Sequence, residues 1–382
     1  MQGVAGPLRG AGETERFDGM RTGKVRRTWA PVVIVALLAT GCGETGSGPR
    51  GTDNEIGDAT EQTADLPVRL EALVQESSVG GCHGQAHELG KEAALTYHPE
   101  EALALNNTQL DELCQYGYLH GLLQGYSAAG VDPIKVATEG CGSVQGGAIQ
   151  ECFHAAGHGI ALSTGSLQEA LESCTEFGVE RQEACGGGAF MEYSERYRKG
   201  VDPGEGMYVR LLSAEEAESI CDWTGEAWIT NCALEAAKFW GPTTKEPGRL
   251  GERCGEIGKR TGREEVVERC AGGVGRWIQN QARWMADGWE RYPETSAGAG
   301  AVSTEIATSC QVESGRSGYP GLFLQTCLQY GVHPILFGQV VSGEPESVWV
   351  DPCPYLEARE QREPCAEIRR GIVAEAGSIR GS

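Results

Sequence analysis

Positive charge is scarce in this chain of 382 residues. Lysine and arginine together number 32 against 54 aspartate and glutamate residues, which gives a formal net charge of −22 at pH 7. Contact with nucleic-acid phosphates requires a basic surface, so this composition argues against a nucleic-acid-binding protein. The acidity suits a solvated extracellular surface and attracts cations weakly, but it identifies no ligand by itself.

Motifs that identify common reactions are also lacking. The chain has no His-Glu-x-x-His, Gly-x-Ser-x-Gly, P-loop or EF-hand motif, which removes the usual signatures of zinc proteases, hydrolases, nucleotide-binding proteins and calcium sensors. It has no Cys-x-x-Cys or Cys-x-x-Cys-His motif, which argues against a thioredoxin-like role and against covalently attached haem. The sequence therefore identifies no reaction, and whether the protein is an enzyme is left open.

Cysteine, in contrast, is abundant, and its spacing accounts for all 15 residues. Cys42 stands alone after a short apolar run, whereas the other cysteines are even in number and mostly form close sequence pairs. This distribution predicts an exported chain with a set of disulfides and one modified cysteine. The predicted bonds are Cys141–Cys152, Cys174–Cys185, Cys221–Cys232, Cys254–Cys270, Cys310–Cys327 and Cys353–Cys365, with Cys82–Cys114 assigned by elimination.

The segment before Cys42 has the features of an export signal. Basic residues between positions 21 and 27 precede an apolar run of about a dozen residues, which is shorter than the ~20 needed to span a bilayer. Residues 38–42, Leu-Ala-Thr-Gly-Cys, resemble the lipobox of bacterial lipoproteins. The resemblance covers the leader alone. It implies cleavage before Cys42 and a diacylglycerol on its sulfur.

The chain therefore divides into three predicted parts. Residues 1–41 are a lipoprotein signal peptide, with Met20 as an alternative start. Residues 42–65 are rich in Gly, Thr, Asp and Glu and lack aromatic residues, which is typical of a disordered tether. Residues 66–382 are an α-helical repeat domain, held outside the cytoplasm on the cell membrane by the lipid. Ordinary signal cleavage and a fully secreted protein are the alternative.

The cysteine pairs mark an internal repeat of about six units. Signals for a helix start precede the first cysteine of several pairs: capping boxes at 166–169 and 213–216, and Asp132 followed by proline. A segment rich in small residues begins at each second cysteine. Each unit is therefore predicted to be an outer helix, a disulfide-stapled turn and an inner helix, repeated at intervals typical of helical arrays.

Glycine is frequent in the predicted inner helices, where each glycine costs ~1 kcal/mol relative to alanine. Close approach of neighbouring helices at a crowded centre is the favoured reason. The expected fold is therefore all-α, with disulfide-stapled helical hairpins forming either a curved α-solenoid or a closed α/α toroid. Flexible turns among ordinary helices are the alternative explanation for the glycines.

Five of the 7 histidines lie in the first three inner segments. His83 and His87, like His154 and His158, are four residues apart and share a helix face. His120 and His158 each stand six residues after a cysteine, so they are expected at equivalent inward positions, with His87 nearly in phase. The pattern predicts that these five histidines converge.

A bound transition metal explains such a cluster. Imidazole suits Zn²⁺, Cu and Fe, and the cysteines are committed to disulfides. We predict all five histidines as ligands, with His87, His120 and His158 as the core of one shared site. Glu88, on the helix of His87, is the candidate general base if the site is hydrolytic. Stacked, hydrogen-bonded core histidines are the alternative.

The position six residues after the cysteine is occupied by other polar residues in later repeats. Lys238 and Arg276 are expected either to bind an anionic ligand or to pair with buried carboxylates such as Glu192 and Glu235, and pairing is favoured. His333 stands at the same offset and would join the cluster only if the array closes into a ring.

The sequence thus favours an exported, lipid-anchored repeat protein with a histidine-rich site for zinc, copper or iron. Whether that site is catalytic, and which substrate or partner it meets, is left open. The alternative function is a cell-surface scaffold that binds a peptide or glycan on its concave face without metal.

Overall fold

The computed structural model describes residues 65–76, 82–144, 148–199, 213–242, 246–287 and 295–380. The predicted signal peptide, Cys42 and all of the tether except Asp65 lie outside these ranges. Among the helices that the structure describes, none is both long enough and apolar enough to cross a membrane.

The described residues form α-helices and short 3₁₀ helices and contain no β-strand, which confirms the all-α fold class. The 3₁₀ helices lie at Cys141–Ser143, Glu226–Trp228, Glu346–Val348 and Cys353–Tyr355. The α-helices are α1 Leu66–Glu76, α2 His83–Thr96, α3 Pro99–Ala104, α4 Thr108–Cys114, α5 Gly117–Ala128, α6 Pro133–Gly140, α7 Ala148–Thr164, α8 Leu167–Cys174, α9 Val179–Lys199, α10 Ala214–Glu218, α11 Ile220–Trp223, α12 Ile229–Trp240, α13 Arg249–Thr261, α14 Glu264–Asp287, α15 Ser296–Ser317, α16 Pro320–Val341 and α17 Arg359–Arg380.

The inner helices pack against one another in chain order. Helix α2 packs on α5, and the series continues through α7, α9, α12, α14 and α16 to α17. Outer helices such as α6, α8, α13 and α15 cover the inner helices next to them. The predicted repeat of outer and inner helices is therefore confirmed, and its core runs along the line where inner helices meet.

Local signals at the helix starts act as expected. The Ser213 hydroxyl accepts a hydrogen bond from the Glu216 backbone, and the Glu216 carboxylate accepts one from the Ser213 backbone. The Ser166 hydroxyl accepts a hydrogen bond from the Glu169 backbone but receives no reciprocal one, and the Asp132 carboxylate caps α6 ahead of its first-turn proline. These caps satisfy backbone N–H groups that the first helical turn leaves unpaired.

All of the predicted disulfides are present, and their cysteines are buried. The inner helices of most units begin before the second cysteine, not at it: Cys152 lies inside α7 and Cys185 lies inside α9. Most of the bonds therefore fasten the body of an inner helix, whereas Cys82–Cys114 joins the residue before α2 to the last residue of α4. Loops of this size stabilise a fold by about 3 kcal/mol each in the chain-entropy account.

Inner-helix glycines mark points of backbone contact, which confirms the reason predicted for them. A Cβ atom on Gly121 of α5 would lie 1.8 Å from the carbonyl oxygen of His87 on α2. A Cβ on Gly188 of α9 would lie 1.9 Å from the carbonyl oxygen of His154 on α7. Because no side chain fits at these contacts, glycine sets the short distance between neighbouring inner helices.

Alanine at Gly121 is expected to destabilise the protein by about 1–3 kcal/mol or more, because the methyl group forces α2 and α5 apart. Gly84, on the exposed side of α2, is the matched control, since a Cβ there meets nothing within 4 Å. Gly84→Ala is expected to be neutral or to stabilise by up to about 1 kcal/mol. Urea unfolding of the oxidised variants measures both changes, and equal losses would contradict the close-contact explanation.

Candidate metal centre

Three consecutive inner helices carry the five clustered histidines. His83 and His87 lie on α2, His120 on α5, and His154 and His158 on α7. The glycine contact at His87 joins α2 to α5, and a Cβ on Gly159 of α7 would lie 2.8 Å from the Leu123 carbonyl oxygen of α5. Side chains on the inner faces of these helices therefore have little room to diverge.

His120, His154 and His158 form a compact group in which one ring nitrogen of each lies within 4.8 Å of the others. Their ring centroids are 4.9 Å (His120–His158), 5.1 Å (His154–His158) and 5.3 Å (His120–His154) apart. Zinc bonds of 2.0–2.1 Å place an imidazole centroid about 3.2 Å from the ion, so tetrahedral ligands have centroids about 5.2 Å apart. The three rings already have the spacing of ligands around one ion.

The hydrogen bonds of His158 leave its Nε2 directed at His154. Its Nδ1 lies 2.9 Å from the Glu192 carboxylate, which also accepts a hydrogen bond from Gln124. In the neutral ring Nδ1–H donates to Glu192, so Nε2 carries a lone pair. That lone pair faces Nε2 of His154 at 3.3 Å, a separation close to the ~3.3 Å between two ligand nitrogens on tetrahedral zinc.

The Nε2 atom of His120 is buried and has no hydrogen-bond partner among the described residues. A buried polar atom without a partner costs about 1–3 kcal/mol of stability, and such atoms are rare in folded proteins. A metal bond to this nitrogen removes that cost. The orphaned His120 atom and the directed lone pair of His158 both fit a ligand set for a transition metal.

Burial favours the neutral, metal-binding form of four of these histidines, His83, His87, His120 and His154, by lowering their pKa. It is the largest cause of the low pKa of His120 and His154, which lies well below the usual 6.5, and the charges of neighbouring histidines add to it. The pKa of His83 is lowered by burial as well, and that of His87 falls to about 4. These four rings need lose no proton at pH 7 before they bind a cation.

The structure brings His154 together with His120 and His158, whereas the sequence had favoured His87 as the third member. His87 follows its cysteine by five residues rather than six, and one residue turns a side chain by about 100° around the helix. His87 instead lies beside His83, with ring centroids 6.1 Å apart. His83 in turn lies 5.5 Å from His120, with its Nδ1 3.0 Å from the Cys114 carbonyl. Both rings therefore border the three-histidine group.

Two other predicted residues have different surroundings. Glu88 is exposed over 72% of its side chain and forms an ion pair with Lys91 at 2.8 Å, while lying 4.0 Å from Nδ1 of His87. Its role as a general base stays a prediction. The His333 ring stacks on Phe337, and its Nε2 atom lies 3.3 Å from the Glu375 carboxylate.

Glu151 was not among the residues predicted from the sequence, although its spacing offered a signal. It precedes His154 by three residues and His158 by seven, which places all three on one face of α7. Its carboxyl is half-buried, and among the described residues no side chain or backbone group is hydrogen-bonded to it. Burial raises the pKa of this carboxyl, against the influence of His158 and Arg276. A proton-accepting group thus lies beside the histidine cluster.

Lys238 follows the prediction that favoured structural pairing. Its ammonium lies 2.8 Å from the Glu235 carboxylate, both groups are buried, and Ser194 donates a hydrogen bond to the same oxygen. Lys238 and Arg276, on α12 and α14, also lower the pKa of His154, after burial and His158. Their positive charges therefore act on the interior that contains the histidines.

Comparisons with known proteins found no match. No protein-family model, no curated protein and no solved structure matches the chain. The function of the site therefore has to be argued from its own residues.

Acid is expected to destabilise the metal-free protein through these histidines. A histidine with a lowered pKa stays neutral in the folded protein at a pH where the unfolded chain already binds a proton. Its contribution to the free energy of unfolding is therefore complete above pH 6.5 and is lost as the pH falls from 6.5 toward the folded pKa, which is about 4 for His87. The raised pKa of Glu151 has the opposite effect, so a comparison between variants is needed. Urea midpoints between pH 7.5 and 4.5 are expected to depend less on pH in His120→Gln than in wild type.

The exposed His98, which is the N-cap residue of α3, provides the control for this measurement. His98→Ala is expected to keep the pH dependence of the wild type. Identical slopes for wild type and His120→Gln would contradict the burial of a neutral imidazole at position 120.

Proposed function

We propose that this protein is an exported, lipid-anchored helical-repeat protein that binds zinc, copper or iron through His120, His154 and His158. The observation that carries the proposal is the convergence of these rings at ligand spacing, with a buried His120 Nε2 that lacks a hydrogen-bond partner. The sulfur atoms of the described cysteines are committed to disulfides, so imidazole nitrogens are the available soft ligands.

The surrounding residues have defined roles in this proposal. Glu192 accepts a hydrogen bond from the Nδ1–H group of His158 and so orients Nε2 toward the ion. Gln124 donates a hydrogen bond to Glu192 and holds it in place. His83, tied to the Cys114 carbonyl through Nδ1, has its Nε2 available to extend the ligand set. His87 borders His83 and forms the outer edge of the centre.

Three protein ligands leave a tetrahedral ion with an open position, which is the arrangement of catalytic rather than structural zinc sites. Such a metal supplies Lewis acidity for the attack of water on a substrate. Glu151, on the same face of α7 as two of the ligands, is the residue placed to accept the proton from that water. Ligation by His83 as well would saturate the centre and favour storage, delivery or electron transfer instead.

Disulfide content and leader together support the proposed location. A chain with this many disulfides is typical of an oxidising, extracytoplasmic environment. The resemblance of residues 38–42 to a lipobox supports attachment to the cell membrane through lipid on Cys42. Membrane lipid is therefore the one partner that we propose, with no role in nucleic-acid binding.

Elemental analysis of the purified protein is expected to find one zinc, copper or iron ion per chain. His120→Ala and His158→Ala are expected to abolish this binding, because each removes one of three ligands, whereas His98→Ala is expected to leave it unchanged. Glu192→Gln keeps the ligands but weakens the orientation of His158, so affinity should fall by about 10- to 100-fold. Absence of metal, even after refolding with each candidate ion, would favour the interaction scaffold.

Membrane attachment is expected to depend on one sulfur. Cys42→Ser removes the acceptor of the proposed diacylglycerol, so the protein should be released from membranes or remain unprocessed. Cell fractionation measures the release, and mass spectrometry of the wild-type N-terminus measures the modification. An unmodified Cys42 in the mature protein would rule out the anchor.

A further inference from the structure

Arg276 is an exception among the arginines of this acidic chain. Most described arginines have a carboxylate within 4.0 Å, as Arg249, Arg263 and Arg316 do. Among the described residues, no carboxylate pairs with Arg276, although its side chain is half-buried on α14. The other arginines described without such a partner, Arg181, Arg359 and Arg362, are exposed to water. A partly desolvated cation without a counter-charge is unfavourable, so an anionic ligand at Arg276 would be stabilised.

A cavity of about 260 Å³ lies at this arginine, lined by Arg276, Gln329, Tyr330, His333 and Pro334. The Arg276 guanidinium lies over the Tyr330 ring, 5.2 Å from its centroid. This cation–π contact holds the guanidinium against the Tyr330 ring, and its N–H groups can donate to an oxyanion in the cavity. The Tyr330 ring in turn packs on Gly272, where a Cβ atom would lie 3.1 Å from the nearest ring atoms.

The remaining polar groups of the cavity do not neutralise Arg276. His333 is the lining residue that contacts a carboxylate, that of Glu375 at 3.3 Å, and the exposed Gln329 contributes an amide. The cavity is smaller than most drug-sized sites, which are about 300–1,000 Å³, so it fits a small ligand or the end of a larger one. A carboxylate or phosphate group has the charge and the paired oxygens that a guanidinium fork recognises.

We propose that Arg276 anchors a small oxyanion in this cavity. The ligand class that this arrangement favours is a small compound with a carboxylate or phosphate group.

Isothermal titration of the purified, oxidised protein with acetate, malonate and inorganic phosphate tests the anchor at low ionic strength. Each probe is titrated into the metal-free protein. Saturable binding of at least one probe is expected, and Arg276→Gln should weaken it by about tenfold or more, because a charge-assisted, two-pronged hydrogen bond is lost. Arg276→Lys keeps the positive charge but lacks the two-pronged donor, so its affinity should lie between those of the wild type and Arg276→Gln. The probe that binds best distinguishes carboxylate from phosphate.

Arg370→Gln is the matched control, because Arg370 is exposed and already paired with Glu363. It should bind every probe as the wild type does. Wild-type affinity in Arg276→Gln, equal losses in Arg370→Gln, or no saturable binding to the wild type would overturn the anchor.

Discussion

Backbone contact between inner helices is the constraint on which the rest of this structure depends. At Gly121 and Gly188 the carbonyl oxygen of a neighbouring helix occupies the space that a Cβ would need, and both carbonyls belong to histidines of the cluster, His87 and His154. Helices that approach this closely bring their inward side chains within contact distance. Disulfides then fasten α7 to the chain directly after α6, and α9 to the end of α8.

The polar interior created in this way has an energetic cost that a bound cation would offset. Burial holds His120 and His154 in the neutral form, and the His120 Nε2 atom has no hydrogen-bond partner among the described residues. Each such atom costs about 1–3 kcal/mol. A ligand that binds only the folded chain stabilises it in proportion to the logarithm of its concentration over its dissociation constant. The proposed metal binding would therefore be coupled to folding stability, and Glu192 would contribute to both by fixing His158.

Patterns in the sequence predicted the framework because disulfide pairing and helix repetition are local in the chain. Cysteine spacing predicted the close pairs, elimination gave the Cys82–Cys114 bond, and inner-helix glycines predicted close approach. The choice of His87 over His154 was less successful, because it compared offsets from the cysteine and ignored the rotation of about 100° that one residue adds. Glu151 and the pairing of Glu192 with His158 depend on contacts across helices or on burial, which spacing from a cysteine does not report.

The central claim, that the buried imidazoles of α5 and α7 share one ion, is tested most directly by X-ray absorption spectroscopy of the metal-loaded, oxidised protein. For zinc, the account predicts nitrogen or oxygen neighbours at about 2.0–2.1 Å, with the multiple-scattering pattern of three imidazole rings, and no bound zinc in His158→Ala. Sulfur neighbours at about 2.3 Å, or an absorption spectrum without imidazole scattering, would contradict it.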